Sequence, residues 1–535
     1  MALTSTEVND EHATPALPHA PDVLADVCLI LEGTWPYVRG GVSAWIAELL
    51  SNMPELSFSI VFLGASESEQ AAPAYPIPAN VVHLERHFLL GGPSAERPPG
   101  RGERGRRRDE DTTFARCAAM HERLRDGDGP LDPDVGAGFF TLSRGSSALD
   151  AQALARHRLS WEAIRERYAE APAGLDFNHY FWTVRGMHEP LFALARIASV
   201  APSARLYHAV STGYAGWLGA MLKMRTDRPY LISEHGIYTK ERELDLAQVD
   251  WIPEGHDPFE VGLEEGVNHL RALWIRLFRS LGRMTYASAD QVFSLHEANR
   301  LRQVADGASP AKLRTIPNGI DVARFSVARR SPGTSVPPVL GLIGRIVPIK
   351  DIKTFVRAMR VVRARLPDAE GWLIGPEDED PAYTAECRRL VVSLGLENVV
   401  RFHGFARPEE LFPRIGLNVL TSVSEGQPLT VLEGFAAGVP ALTTDVGSCR
   451  ELVEGVGEAD RALGAAGAVV PIASPGPFAD AALGLLGDPD AWQRASAAAI
   501  ARVESRYDAR DMVRRYREVY AAEIAGAAPS ERRAG

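Results

Sequence analysis

The sequence predicts an α/β protein of two doubly wound domains, each with a parallel sheet covered by helices on both faces. At 535 residues the chain is too long for one compact core. Apolar segments of strand length alternate with helical segments, which is typical of a parallel sheet with helical crossovers. The turn IPNGID (Ile316 to Asp321) and the stretch SPGTSVPP separate two such series near residue 325.

The first series lies in a domain predicted over 23–325, after a disordered lead at 1–22. It opens with a strand from Val27 to Leu31, a glycine-rich loop and a helix from about Val42. Further strands are predicted at 205–208, 230–234 and 291–295. An Arg-, Gly- and Pro-rich segment at about 92–111 has no apolar periodicity. We expect a solvated insertion loop there, and an anion-binding arginine cluster is the alternative.

The second series is more regular and predicts a domain over 326–507. Its predicted strands are 338–346, 371–375, 399–403, 417–422, 440–444 and 468–472. A final helix at about 508–525 begins a last unit that runs to residue 535. Ligands bind at the carboxyl ends of the strands in such sheets, so the cleft between the domains is the expected site.

Composition narrows the class of function. The net charge of −11 argues against nucleic acid as a partner, because phosphate backbones require a basic face. Four scattered cysteines (Cys28, Cys117, Cys387 and Cys449) form no CxxC pair, which indicates free thiols in a reducing compartment. The N-terminus resembles no signal peptide, and no apolar run is long enough to span a bilayer. These features predict a cytoplasmic protein that does not itself cross a membrane.

The stretch SEGQPLTVLEGFAAGVP places two acids at the start of a helix. Glu425 precedes the helix, Pro428 suits its first turn, and Glu433 lies about one and a half turns in. The free N–H groups of the helix favour an anion at the same place. A nucleotide sugar offers both hydroxyls and phosphates to this arrangement. Capping and solvated surface acids are the alternative interpretation.

A second motif, GLIGRIVPIKD, delivers two cations at the end of a buried strand. Arg345 follows the strand and Lys350 comes five residues later. Fixed cations at a strand end suit a diphosphate, which arginine binds with a planar fork and lysine as a point charge. Two solvated loop cations are the alternative.

The first domain offers glycines and histidines at strand ends. Gly40 and Gly41 let the backbone approach an anion at a helix N-terminus, although an ordinary tight turn would look the same. His208 and His235 each follow a predicted strand, and we expect both to contact a sugar.

With these residues assembled, the chain resembles retaining glycosyltransferases of family four, which have the GT-B architecture of two Rossmann-like domains. The E-x7-E element, the Arg345/Lys350 pair, the glycine-rich loop and IPNGID carry the resemblance. The strings EGTWPYVRGGVSAW, SEHGIYTKERE and IGPEDEDP carry a more specific resemblance to the PelF type of Pel exopolysaccharide synthesis. The segment at 92–111 matches nothing in that family.

The resemblance implies a UDP-sugar donor, UDP-glucose first among them, and a glycan acceptor. Arg345 and Lys350 are then expected to hold the diphosphate with the amides of Gly40 and Gly41, and Glu433 to bind the ribose. The sugar is expected at Glu425 and at the four following residues, which are Gly426, Gln427, Pro428 and Leu429.

The resemblance also places His235 near the sugar and the reaction centre, and the uracil near the backbone of 403–406. The predicted catalytic set is Glu425, His235, Arg345 and Lys350. The cations and helix N-termini can neutralise the leaving phosphate, and each preorganised donor is worth roughly 3 kcal/mol. We therefore expect no metal and no cofactor, and retention through acceptor attack on the face that the phosphate leaves.

Other functions stay open on the sequence alone. An epimerase or a phosphorylase can share the architecture, and a phosphorylase would need a lysine for pyridoxal phosphate. A UDP-binding, non-catalytic subunit of a membrane polysaccharide synthase is a further alternative. Inner-membrane synthase subunits are expected partners if the Pel-like interpretation holds.

Overall fold

The computed structural model of the protein describes residues 25–65, 72–89, 122, 158–172, 175–248, 269–331 and 333–526. The lead predicted at 1–22 and the insertion predicted at about 92–111 lie outside the described residues. Within the described ranges the chain forms two sheets of parallel strands. The predicted fold class, two doubly wound α/β domains, is confirmed.

The first sheet has seven strands in the order β3-β2-β1-β4-β5-β6-β7. The strands are β1 (Ala25–Glu32), β2 (Phe58–Gly64), β3 (Val81–Phe88), β4 (Ala204–Ala209), β5 (Tyr230–Glu234), β6 (Gln291–Ser294) and β7 (Leu313–Thr315). Strand β1 is central, and its Leu29 aligns with Ile60 on one side and His208 on the other. The strand order reverses between β1 and β4, which opens a crevice at their carboxyl ends.

Helices cover this sheet on both faces. Numbered over the described residues, they are α1 (Gly41–Ser51), α2 (Arg158–Tyr168), α3 (Phe177–Val200), α4 (Tyr214–Thr226), α5 (Tyr238–Gln248), α6 (His269–Ser288) and α7 (Glu297–Ala305). The start of α3 is set by Asp176, whose carboxylate accepts from the backbone N–H groups of Asn178 and His179.

The second sheet has six strands in the order β10-β9-β8-β11-β12-β13, the same reversal as in the first. The strands are β8 (Val339–Ile343), β9 (Glu370–Ile374), β10 (Val400–Gly404), β11 (Leu417–Leu420), β12 (Ala441–Thr444) and β13 (Gly467–Val470). The helices are α8 (Val322–Ser326), α9 (Ile352–Arg365), α10 (Pro381–Ser393), α11 (Pro408–Leu411), α12 (Leu429–Ala436), α13 (Cys449–Glu454), α14 (Gly457–Arg461), α15 (Pro475–Gly487), α16 (Pro489–Arg506) and α17 (Ala509–Gly526).

The last helix returns to the first domain. In α17, the hydroxyls of Tyr516 and Tyr520 lie 2.8 Å from Ser233 Oγ and His208 Nδ1. Its apolar face joins the same core as β1 and α1. The sequence predicted this helix as a separate unit after the second domain, and its buried tyrosines instead make it part of the first domain's core.

The two connections between the domains run side by side. The backbone of Ile320 donates to Tyr507 O and accepts from Ala509 N, both at 2.9 Å. Gly319 leaves no room for a Cβ beside Ala509. The predicted linker IPNGID and the start of α17 therefore cross between the domains at one place. Within the described ranges, no helix is both long and apolar enough to span a bilayer.

Candidate active site

The carboxyl ends of the two sheets face each other, and loops from both domains meet there. The Cα of Gly426 packs so closely on the carbonyl of His235 that no Cβ would fit. A methyl group on Gly41 would lie 3.8 Å from Leu429 Cδ1 across the cleft. Four residues that the sequence selected as site residues are thus adjacent across the domain boundary.

Lys350 and Glu425 form an ion pair at this meeting point. Nζ of Lys350 lies 2.5 Å from Oε1 of Glu425, and the two side chains are only 19% and 14% exposed. Ser422 Oγ donates to the same carboxylate oxygen at 2.6 Å. Backbone contacts fix the two loops, since Val423 N donates to Ile349 O at 2.9 Å. Lys350, predicted to bind the diphosphate, and Glu425, predicted to bind the sugar, are therefore in direct contact.

Arg345 comes from the same loop but its guanidinium points elsewhere. It follows β8, is half exposed and pairs with Glu379 in the loop after β9. Gly344 lies beside the side chain of Lys350: a Cβ added to this glycine would be 3.5 Å from Cε of the lysine. The backbone thus brings the predicted cations into one loop, whereas their side chains have different carboxylate partners.

The loop from Gly426 to Leu429 is held by its backbone and by one side chain. Gly426 O accepts from Ser448 N at 2.9 Å. Gln427 Oε1 accepts from Asn318 N at 2.6 Å, so this side-chain oxygen faces the interdomain linker. Pro428 was predicted in the first turn of the helix. In the structure it is the N-cap of α12, one position before that turn. Leu429, the first residue of α12, has its side chain next to Gly41.

Glu433 lies one turn into α12 and is largely enclosed. Burial raises the pKa of its carboxyl to about 7; nearby Arg324 lowers it and Glu409 raises it. Arg324 and Glu409 are themselves paired at 2.8 Å. A carboxyl in this state accepts hydroxyl hydrogen bonds when ionised and donates when protonated.

Gly40 and Gly41 form the start of α1, as predicted. Gly40 precedes the first helical residue in an extended conformation with φ 172°. Both glycines are exposed, and Gly41 lies next to Leu429 at the start of α12. The N-termini of α1 and α12 are therefore close together, and helix N-termini favour an anion.

His235 is a buried, neutral imidazole at the end of β5. Its side chain is 8% exposed, and its ring lies edge-on to Trp45 with centroids 4.5 Å apart. Burial lowers its pKa to about 3. Within the described residues, its Nε2 has no hydrogen-bond partner. A buried unpaired nitrogen is costly, which is typical of a group that binds a ligand.

His208 does not contact the cleft, and the expectation of a sugar contact was wrong. Its side chain is fully buried. Nδ1 lies 2.8 Å from the Tyr520 hydroxyl, and Nε2 lies 2.8 Å from Ser233 Oγ. Both ring nitrogens are therefore occupied, and His208 connects α17 to the first sheet.

Glu234 supports the candidate site from behind and was not among the residues selected from the sequence. Its carboxylate, 1% exposed, accepts from Thr212 Oγ1 at 2.9 Å and from Tyr238 N at 3.0 Å. Its second oxygen accepts from the Tyr286 hydroxyl and from Gln303. These contacts fix the turn that carries His235. The available signal was an acid at the end of the buried strand YLISE.

The uracil expectation at 403–406 stays a prediction. His403 packs on Trp372 with ring centroids 4.6 Å apart. Phe405 is 72% exposed and lies under the guanidinium of Arg39 from the first domain, 5.6 Å from it.

The expectation that no metal is required also stays a prediction. Across the described part of the chain, no group of three His, Cys, Asp or Glu side chains is arranged to hold a metal ion.

Several curated relatives match the chain in part. D-inositol 3-phosphate glycosyltransferase 2 of Catenulispora acidiphila is 32% identical over 199 residues, covering 34% of this chain and 44% of the relative. Mannosylfructose-phosphate synthase of Agrobacterium fabrum is 28% identical over 250 residues, covering 43% of this chain and 51% of the relative. The chain thus spans about half the length of these relatives.

Solved structures share the fold over nearly the whole chain. Anabaena HepE in complex with UDP has a TM-score of 0.54 at 14% identity, covering 93% of this chain and 100% of its own. Sucrose-phosphate synthase from Thermosynechococcus elongatus has a TM-score of 0.55 at 15% identity, covering 94% and 100%. At such low identity the likeness shows the fold alone, which is the GT-B architecture.

Two family models divide the chain between its domains. The model described as "Glycosyl transferases group 1" matches residues 337–488, and the predicted enzyme class, a glycosyltransferase, is confirmed by it. The model described as "Domain of unknown function (DUF3492)" matches residues 25–311, more than half of the chain. The protein therefore belongs to the DUF3492 family and carries a group 1 glycosyl transferase domain.

Proposed function

We propose that the protein transfers a sugar from a UDP-sugar, UDP-glucose in the first instance, to a glycan acceptor with retention of anomeric configuration. The observation that carries this proposal is the Lys350–Glu425 pair at the junction of the two sheets. There it stands beside Gly426, which packs on His235 of the opposite domain. HepE, which shares the fold, is described in complexes with UDP and with UDP-glucose.

The donor diphosphate would lie between the cations and the helix N-termini. Lys350 and Arg345 belong to one loop, and the first residues of α1 and α12 lie close together. A phosphate that takes the ammonium of Lys350 frees Glu425 to accept from sugar hydroxyls. Glu433 would then bind the ribose, one turn further along α12.

The reaction places negative charge on the departing phosphate when the anomeric C–O bond breaks. Fixed cations and N–H dipoles stabilise that charge, and removing one such donor typically costs roughly 3 kcal/mol of transition-state stabilisation. Retention follows if the acceptor hydroxyl attacks the same face and gives its proton to a phosphate oxygen. In that scheme no protein nucleophile is required.

His235 would act as a neutral hydrogen-bonding group at the sugar. Its low pKa keeps the imidazole uncharged at neutral pH, so it adds no charge beside the cationic loop. The unpartnered Nε2 could bind a sugar hydroxyl. Trp45 and Glu234 hold the ring and its turn in place.

We also propose the biological setting implied by the sequence resemblance. The acceptor is then a growing exopolysaccharide of the Pel type, assembled in the cytoplasm at the inner face of the membrane with synthase subunits as partners. This part rests on the quoted sequence strings rather than on the geometry of the site.

A panel of UDP-sugars tests the function. Each is scored by thermal shift for binding and by UDP release for turnover, with and without oligosaccharide acceptors. UDP-glucose is expected to stabilise the protein and to release UDP in an acceptor-dependent manner. Binding without turnover favours the non-catalytic subunit, and formation of an epimer or free sugar without acceptor favours the epimerase.

A further inference from the structure

A cleft of about 760 Å³ opens at the carboxyl edge of the first sheet. Glu32 at the end of β1, Val210 after β4 and His235 after β5 line it, so it lies where the strand order reverses. The backbone of His235 packs on Gly426. A molecule in this cleft therefore reaches the sugar site proposed above, and the inference below rests on that proposed function.

Aromatic side chains form two walls of the cleft. On one side the rings of Tyr37 and Phe62 lie edge-on, 4.8 Å apart. On the other side Trp274 and Phe278 are stacked, 5.7 Å apart. Aromatic faces pack well on the C–H faces of pyranose rings, because both surfaces are apolar and flat. They offer nothing to a phosphate.

The charged groups of the cleft also disfavour an anion. Arg242 is paired with Asp245 at 2.7 Å, and Arg86 lies 5.4 Å from the centre of the Tyr37 ring. Beside these two cations, the described residues that line the cleft include three carboxyl groups, which are Glu32, Glu241 and Asp245. A phosphate monoester would therefore meet an arginine that is already paired and carboxyl groups that compete for it.

The N-terminus of α4, which lies beside the cleft, is already occupied by a carboxyl group of the protein. Helix α4 begins beside the cleft, and its Ala215 N donates to Glu32 Oε2 at 3.2 Å. The other oxygen of Glu32 accepts from the Tyr238 hydroxyl at 2.9 Å. The carboxyl group of Glu32 thus takes the place that an anionic ligand would have at the N-terminus of α4. A carboxylate accepts hydrogen bonds from sugar hydroxyls.

We propose that this cleft binds the acceptor as an uncharged glycan and selects against phosphorylated acceptors, with Glu32 and the Arg242–Asp245 pair as specificity determinants. The proposal separates this chain from the relatives above whose names include inositol 3-phosphate and mannosylfructose-phosphate. The aromatic walls supply affinity, and the carboxylates reject the phosphate.

Binding is measured by saturation-transfer NMR with UDP present. The probes are neutral oligosaccharides of three to five glucose or N-acetylglucosamine units and, as the anionic competitor, glucose 6-phosphate. The oligosaccharides are expected to bind and glucose 6-phosphate not to displace them. Trp274→Ala should weaken glycan binding roughly ten-fold, the upper range for one aromatic partner. Trp182→Ala, an aromatic that is 61% exposed and outside the cleft, is the control.

A charge variant tests the specificity directly. Asp245 is exposed, so Asp245→Asn should fold and release Arg242. Glucose 6-phosphate should then bind roughly three-fold more tightly, the scale of one exposed ion pair. Asp480→Asn breaks a similar exposed ion pair with Arg365 and should leave the affinity for glucose 6-phosphate unchanged.

The outcomes separate this inference from the proposed function. Three results would overturn the inference: the oligosaccharides fail to bind, the wild type binds glucose 6-phosphate more tightly than the oligosaccharides, or Trp274→Ala leaves glycan binding unchanged. If UDP still binds in those cases, the proposed function stands. Oligosaccharide binding by a protein that binds neither UDP nor UDP-sugars supports the cleft and contradicts the donor site.

Discussion

Lys350 donates to Glu425 over 2.5 Å, which joins the loops that follow β8 and β11 at the carboxyl edge of the second sheet. A largely buried ion pair repays its desolvation only with good geometry and further hydrogen bonds, and Ser422 supplies one of these. The pair also couples two binding events. A diphosphate that recruits Lys350 makes the carboxylate of Glu425 available to the sugar.

Arg345→Ala should weaken UDP binding about ten-fold, because a charge-assisted contact to phosphate is worth about 1.5–3 kcal/mol and this side chain is half exposed. The affinity is measured by titration calorimetry. Arg365→Ala removes a similarly exposed, ion-paired arginine from the same domain and is the matched control. An unchanged affinity for UDP would remove Arg345 from the phosphate site.

Gly426→Ala should impair both folding and transfer. A Cβ at this position collides with the carbonyl of His235, so the two domains must separate locally. We expect a loss of about 1–3 kcal/mol in the free energy of unfolding, as for other overpacked sites, and at least ten-fold slower UDP release. Denaturant unfolding and turnover are measured on the same preparation.

Gly484 in α15 provides the control for that substitution, since a Cβ there meets no atom within 4 Å. Gly484→Ala should leave turnover unchanged and stabilise the helix slightly. If the two variants had the same stability and the same turnover, the close contact between Gly426 and His235 would have no role in folding or transfer.

Glu433 should lower the stability of the protein as the pH rises, and it should also contribute to UDP binding. Its pKa of about 7 in the folded protein exceeds the ordinary value of 4.5, because burial disfavours the charged form. The stability that this carboxyl contributes is therefore complete below pH 4.5 and is lost as the pH rises through 7. Glu433→Gln should be more stable than the wild type at pH 8 but not at pH 4.5, and should bind UDP more weakly.

Thermal unfolding from pH 4.5 to 8, combined with UDP titration, measures both effects. Glu410→Gln, at an exposed carboxyl of the same domain, should leave the shape of the stability curve unchanged. A Glu433→Gln curve parallel to that of the wild type would contradict the raised pKa.

The periodicity of the sequence was sufficient for most of the fold. Continuous apolar runs such as VCLIL and YLIS favour buried parallel strands, and these runs are β1 and β5 in the structure. Strands β2, β3 and β7 were not predicted. Strand β3 is an edge strand whose pattern is broken by His83, Glu85 and His87, and β7 has three residues.

Side-chain partners were the part that periodicity could not supply. His208 lies near the end of β4 and His235 directly follows β5, yet Nδ1 of His208 is bonded by the hydroxyl of Tyr520, which lies 312 positions away. Nothing local in the sequence shows that α17 returns to the first domain. For the same reason the ion pair between Lys350 and Glu425 could not be predicted, because both loops are set by the packing of neighbouring strands.

The effect of Glu425→Gln on turnover tests the central claim most directly. UDP release from UDP-glucose with acceptor should fall by about 10²-fold or more, whereas UDP affinity by calorimetry should stay within about three-fold of the wild type. Glu386→Gln, which removes the partner of Lys353 in an exposed ion pair of the same domain, should retain both properties. Wild-type turnover in Glu425→Gln would contradict a donor site built around Lys350 and Glu425.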